Sequence, residues 1–204
     1  MLPSATVAVL PGFTRSAIDV GLFTRQVADA GFNSFAVDLA PRFFPVVYMY
    51  RRNLRRIAAK LLDRTHGSSV VLVGHSAGAA AASYLAPVMR SAGADVKGVV
   101  FVDGVDSPNH LIRKSLKNLA GMQVGAVLAP PSPCNRQGSL EKLLVRYPWV
   151  HVKVVPGAGH GNFEGDEISI YRKFCNDTST AQIANQFRQA VIEQIKWIAS
   201  SGES

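Results

Sequence analysis

Short apolar runs alternate with amphipathic stretches along the whole chain. Residues 5–10 (ATVAVL) form a β-rich run that ends at Pro11-Gly12. Residues 18–30 carry Ile18, Leu22, Val27 and Ala30 at helical spacing, and 32–39 (FNSFAVDL) form the next predicted strand. The spacing predicts a helix over 51–64. Its apolar face is Leu54, Ile57, Ala58, Leu61 and Leu62, and its basic face is Arg51, Arg52, Arg55 and Arg56. Residues 69–73 (SVVLV) are a continuous run of the kind buried on both faces of a parallel sheet. A small-residue helix over 77–90 follows, then a strand over 97–103 and a helix over 109–120. Next come a strand over 123–129, the loop PPSPCNRQG and a helix over 139–146. In 149–155, Val150, Val152 and Val154 alternate with His151 and Lys153, as in a strand near a sheet edge. A glycine-rich loop at 156–161 and an irregular stretch at 162–178 precede the last predicted helix, 181–199. That helix has Ile183, Phe187, Val191, Ile195 and Ile198 as its buried stripe, and Ser179 with Gln182 as a capping box.

This βαβα order predicts an α/β fold, a predominantly parallel central sheet with helices on both faces. The 204 residues contain no repeat or low-complexity tract, which predicts a single domain over 1–204. With 48% hydrophobic and 18% charged residues, a disordered or collagen-like chain is excluded. No apolar run reaches the ~20 residues a membrane span needs. The opening MLPSATVAVLPGF lacks a basic n-region and a long apolar h-region, so it reads as a strand and a cytoplasmic location is expected. Cys134 and Cys175 are the two cysteines. Without a CxxC pattern no structural zinc is expected, and without an export signal two free thiols are favoured over one disulfide. The net charge of +8 comes without a zinc finger, an RRM signature or a helix-turn-helix pattern, so nucleic acid is not an expected partner.

The chemistry concentrates in Gly74-His75-Ser76-Ala77-Gly78, which fits G-x-S-x-G where a predicted buried strand meets a small-residue helix. A serine hydroxyl is a poor nucleophile and has to be thrust into a cleft beside a base. A tight strand-to-helix turn does this, with glycines where side chains would collide with backbone. The helix beginning after Ser76 also aims N–H groups and a positive dipole end at an oxyanion. His160, in PGAGHGNF just after the last strand, is the expected base. His66, His75, His110 and His151 are not, His75 because its side chain is expected to turn away from the reacting centre.

The segments VAVLPGF (7–13), FAVDL (35–39), VVLVGHSAG (70–78), VVFVD (99–103) and VKVVPGAGH (152–160) together resemble the α/β-hydrolase superfamily over nearly the whole chain. The resemblance implies a minimal fold without a large cap domain, and the chain order nucleophile, acid, base. Its commonest acid position, the loop after the strand at 123–129, holds no Asp or Glu here. The acid then moves to the preceding strand end, where some lipase-like members carry it: Asp103 is favoured over Asp106. Asn135 or Glu141 as an orienting group, or a dyad without an acid, remain open. The oxyanion hole is expected from the Ala77 N–H and the Phe13 N–H, with Thr14 as runner-up. No metal or organic cofactor is implied. A disulfide tying the post-histidine loop to the cleft rim is compatible with the family geometry.

The expected function is a serine hydrolase cleaving carboxylic esters or thioesters through an acyl-enzyme on Ser76. Alternatives are a thioesterase, lactonase or acyltransferase of a biosynthetic pathway, or a catalytically silent receptor on the same fold. The four arginines of 51–56 read first as a solvated face. The alternative is docking of an acidic carrier protein, a partner that type II thioesterases of this superfamily use. Arg42, Phe43, Phe44, Tyr48 and Tyr50 are candidate residues of the cleft mouth.

Overall fold

The computed structural model describes residues 5–40, 50–106, 110–164 and 169–201. Six strands pair in parallel to form one sheet: β1 (Thr6–Leu10), β2 (Asn33–Ala36), β3 (Val70–His75), β4 (Val96–Val102), β5 (Gln123–Leu128) and β6 (His151–Val154). Their order across the sheet is β2-β1-β3-β4-β5-β6. The helices are α1 (Gly21–Asp29), α2 (Arg51–Arg64), α3 (Ala77–Ser91), α4 (Leu111–Ser115), α5 (Ser139–Leu144), α6 (Ser169–Phe174) and α7 (Ala181–Ser200).

The alternation of strand side chains divides the core into two layers. Ala8, Leu10, Val70, Leu72, Val99 and Phe101 face α2 and α3 on one side. Val7, Val9, Val71, Val73, Val100 and Val102 face α1 and α7 on the other. Every residue of β1 and β3 is therefore buried, which explains why these strands read as unbroken apolar runs. Two strand glycines admit α7: a Cβ on Gly98 would lie 2.9 Å from Ile198 Cγ2, and one on Gly125 2.6 Å from Gln194 Oε1.

Several boundaries differ from the sequence expectation. The first helix begins at Gly21, so Ile18 sits in the preceding turn and is 88% exposed, while Phe23 and Val27 form the buried face. The expected helix over 109–120 is one α-turn, α4, continued as a 3-10 turn at Leu116–Leu119. The irregular stretch holds the short helix α6. The cap of α7 is Thr180, whose side chain accepts from the Ile183 N–H; Ser179 instead bonds Asp177 and Asn162. At the open edge all four residues of β6 are exposed. His151 and Lys153 bond Gln194 and Glu193 of α7, and Val152 and Val154 alternate with them.

The strand order reverses between β1 and β3: from β1 the chain steps to β2 on one side, then returns to β3 on the other. The crevice beyond the carboxyl ends of these two strands is where open α/β sheets bind ligands. The segments entering it are Pro11-Gly12-Phe13 after β1 and Ser76 after β3.

Candidate active site

Ser76 is the single residue between the last residue of β3 and the first of α3. Its backbone lies at φ 52°, ψ −117°, a sparsely populated conformation that costs about 1–3 kcal/mol unless the surroundings enforce it. Here they do. The Ser76 N–H donates to the Val102 carbonyl at 2.9 Å, and its own carbonyl accepts from the Ala79 and Val105 N–H groups at 3.2 and 3.1 Å. A Cβ on Gly74 would overlap the Gly78 carbonyl, and one on Gly78 would overlap the carbonyl oxygens of Leu10 and Pro11. The two glycines thus let β1, β3 and α3 converge behind the serine.

His160 opens a 3-10 turn, His160–Phe163, after β6. Its Nε2 lies 3.0 Å from Ser76 Oγ and its Nδ1 2.5 Å from Asp103 Oδ2. A carboxylate can only accept, so Nδ1 carries the proton and Nε2 presents its lone pair to the hydroxyl. Asp103 follows β4 in a left-handed conformation, φ 40°. Its Oδ1 accepts from the Ala129 N–H at 3.1 Å and from Asn135 Nδ2 at 3.2 Å. Asn135 therefore holds the acid rather than the imidazole.

The other acid candidates lie elsewhere. Asp106 Oδ1 accepts from the Ile112 and Arg113 N–H groups at the start of α4. Glu141 stands in the first turn of α5, beside Gly138. His66, His110 and His151 are exposed. Arg42, Phe43, Phe44 and Tyr48 lie outside the described residues, and Tyr50 is the exposed residue preceding α2.

The loop after β1 lies against the serine. A Cβ on Gly12 would be 3.3 Å from Ser76 Cβ. The Arg15 N–H bonds the Gly12 carbonyl, and Thr14 is left-handed at φ 64°, so Phe13 and Thr14 form the bend of this turn. Phe13 is partly exposed beside the crevice. Ala77 is the first residue of α3, and the first N–H groups of a helix have no intrahelical acceptor.

A second buried polar set lies behind the serine, and only His75 of it was singled out in the sequence. His75 turns away from the crevice, with Nδ1 2.9 Å from Glu164 Oε1 and Nε2 2.9 Å from the His160 carbonyl. Glu164 Oε2 accepts from Arg15 Nε at 2.8 Å. Burial disfavours the charged imidazole of His75, but the Glu164 carboxylate, with Asp103 further off, outweighs it and the pKa is raised. Burial likewise disfavours the Glu164 carboxylate, yet His75 and Arg15 hold its pKa below the ordinary value. Glu164 and Arg15 belong to no recognisable pattern; only the nearness of Glu164 to His160 in HGNFE hints at it.

The free-thiol expectation is corrected: Cys134 and Cys175 form a disulfide, with Cα atoms 5.2 Å apart. Pairing depends on proximity in the fold, which a separation of 41 residues does not reveal. Both cysteines lie in segments that follow strands at the same sheet edge, and the fold brings those segments together. Cys134 adjoins Asn135, the partner of Asp103. Two residues beyond Cys175, Asp177 packs against Gly159, which precedes His160.

Arg51, Arg52, Arg55 and Arg56 are exposed along α2, and none takes part in the ion pairs between described residues. Among the described residues no group of three or more His, Cys, Asp or Glu is placed to hold a metal. No helix among them is long and apolar enough to cross a membrane.

No family model and no curated protein matches the chain. Solved structures do match. The protein TT1662 from Thermus thermophilus superposes with a TM-score of 0.67 at 17% identity, over 97% of this chain and 90% of that one. The NocB thioesterase domain of the nocardicin cluster gives 0.58 at 18%, over 92% and 93%. Est1E from Butyrivibrio proteoclasticus gives 0.63 at 10%, over 96% and 90%. The likeness is one of fold: the chain has the α/β-hydrolase fold, in a small six-stranded version.

Proposed function

We propose that this protein is a serine hydrolase that cleaves carboxylic ester or thioester bonds. The observation that carries the reading is the continuous relay from Ser76 Oγ through His160 to Asp103, at 3.0 and 2.5 Å, at the sheet's switch point. In the acylation step Ser76 Oγ attacks the substrate carbonyl carbon while His160 Nε2 takes the hydroxyl proton. The Phe13 and Ala77 N–H groups receive the oxyanion. The tetrahedral intermediate collapses, the bond to the leaving group breaks, and His160 returns the proton to it. Water repeats the sequence on the acyl-serine and releases the acid. Asp103, fixed by Ala129 and Asn135, keeps Nδ1 protonated and stabilises the imidazolium.

The test is hydrolysis of p-nitrophenyl esters of graded chain length and of an acyl thioester. Turnover on at least one series, abolished by Ser76→Ala, supports the reading. A folded wild type inert to both favours a silent receptor on this fold.

The exposed arginine face of α2 favours a second reading, a thioesterase that takes its acyl group from an acidic carrier protein. The thioesterase named among the structural neighbours is consistent with it. Turnover of carrier-bound substrate would then fall steeply with salt, as screening over about 10 Å at 0.1 M requires, while turnover of a free thioester would not. As to location, a disulfide persists in oxidising compartments. The Cys134–Cys175 bridge therefore favours one of these over the cytoplasm.

A further inference from the structure

The buried carboxylate of Glu164 takes no part in the proposed reaction. Glu164 is 6% exposed and makes hydrogen bonds in two directions. Oε1 meets His75 Nδ1 at 2.9 Å and Oε2 meets Arg15 Nε at 2.8 Å. Each arm ends on a working part of the proposed site. His75 adjoins Ser76 in the chain, and its Nε2 donates to the main-chain carbonyl of His160, which can only accept. Arg15 adjoins Thr14 and Phe13 in the turn that would supply the oxyanion donor. Gly12 of that turn faces the same group of side chains: a Cβ there would lie 3.3 Å from Glu164 Oε1, 3.3 Å from Ser76 Cβ and 3.4 Å from His75 Nδ1. A methyl group at Gly12 would therefore fit only if one of these neighbours gave way. Glu164 lies in the same segment as His160, one residue past the turn that His160 opens.

Three segments distant in the chain, the loop after β1, the end of β3 and the turn after β6, thus converge on one side chain. We infer that Glu164 is a positioning residue: acting through His75 and Arg15, it fixes the His160 turn and the Phe13 loop in register with Ser76. It touches no reacting atom. The inference rests on the serine-hydrolase reading.

Acyl transfer is sensitive to this register, since a misplacement of about 1 Å can cost on the order of 100-fold in rate. The closing experiment is kinetic. Wild type, Glu164→Ala and Glu164→Gln are compared for the rate of labelling by a fluorophosphonate and for kcat and KM on one p-nitrophenyl ester, well below each melting temperature. Glu164→Ala should lower kcat and labelling about 10–100-fold with KM within about twofold. Glu164→Gln should stay within several-fold of wild type. Its amide oxygen can accept from Arg15 Nε and its NH2 can donate to His75 Nδ1, leaving His75 Nε2–H on the His160 carbonyl. A folded Glu164→Ala labelled at the wild-type rate overturns the inference, and so does a Glu164→Gln that falls as far as the alanine variant. If Glu164→Ala does not fold, Arg15→Met cuts the loop arm and leaves the His75 arm in place. It should lower kcat several-fold at constant KM, and an unchanged kcat overturns the inference. A wild type that the probe does not label overturns the reading of Ser76 first, and the inference with it.

Discussion

Removing the Cys134–Cys175 bridge should both loosen the protein and slow it. The bridge joins residues 41 apart in sequence. In the chain-entropy picture, closing a loop of that length restricts the unfolded chain by about 4 kcal/mol at 25 °C. For a chain of this size each kcal/mol moves the melting temperature by roughly 2–4 °C. Loss of the bridge should therefore lower it by about 10 °C. The activity should fall too, because each end of the bridge supports a member of the relay. Cys134 precedes Asn135, which bonds both oxygens of Asp103. Cys175 precedes Asn176 and Asp177, whose carboxylate packs on Gly159 beside His160. The assay is thermal unfolding and p-nitrophenyl ester turnover, with and without dithiothreitol, and for the double variant Cys134→Ser, Cys175→Ser. Turnover at 25 °C is expected to fall about tenfold through displacement of acid and base. Two thiols titrating in denatured protein purified without reductant would refute the bridge. A melting temperature that moved by less than about 2 °C would refute the reasoning about its contribution.

Asp103→Asn should lower kcat by about 10³–10⁴, since the imidazole would lose the partner that fixes its tautomer. Asp106→Ala should leave kcat unchanged while loosening the start of α4, whose Ile112 and Arg113 N–H groups Asp106 caps, by about 1 kcal/mol, read by melting. Gly78→Ala should give little folded protein, because its methyl group would overlap the carbonyl oxygens of Leu10 and Pro11; soluble yield and circular dichroism check this. The buried pair predicts a pH window. Glu164 is held below its ordinary 4.5, so its contribution is present above that value and lost as pH falls through the lowered one. His75 is raised above its ordinary 6.5, so its contribution is present below that value and lost as pH rises through the raised one. The melting-temperature gap between wild type and Glu164→Gln should thus be widest between about pH 4.5 and 6.5 and should narrow as pH rises beyond that window; a gap that widens steadily above about pH 6.5 contradicts the assignment.

The central strands were legible because they are buried on both faces. The runs at 70–73 and 99–102 show this with little ambiguity, and α2 begins and ends where its periodicity does. The elbow was legible because its steric demand is local: Gly74 and Gly78 stand in the sequence where the backbone needs them. The acid was readable as two candidates, since Asp103 and Asp106 are three residues apart and only the turn after β4 decides which one reaches His160. What stayed hidden depends on distant segments. The meeting of Cys134 with Cys175 and the convergence of Arg15, His75 and Glu164 are set by which loops the sheet order brings together. Short elements were misjudged for a related reason. Both α4 and the 3-10 turn at Leu116–Leu119 pack against α3, and the apolar periodicity that predicts one long helix does not mark the change of geometry between them.

The central claim is that Ser76 is a nucleophile activated by His160. Its most direct test is to treat the folded protein with a fluorophosphonate and map the adduct by mass spectrometry, beside Ser76→Ala and His160→Ala. One phosphonyl group per chain is expected, on Ser76, with none on Ser76→Ala and labelling slowed by at least about 1,000-fold in His160→Ala. A folded wild type left unmodified, or an adduct elsewhere that persists in Ser76→Ala, would contradict the claim.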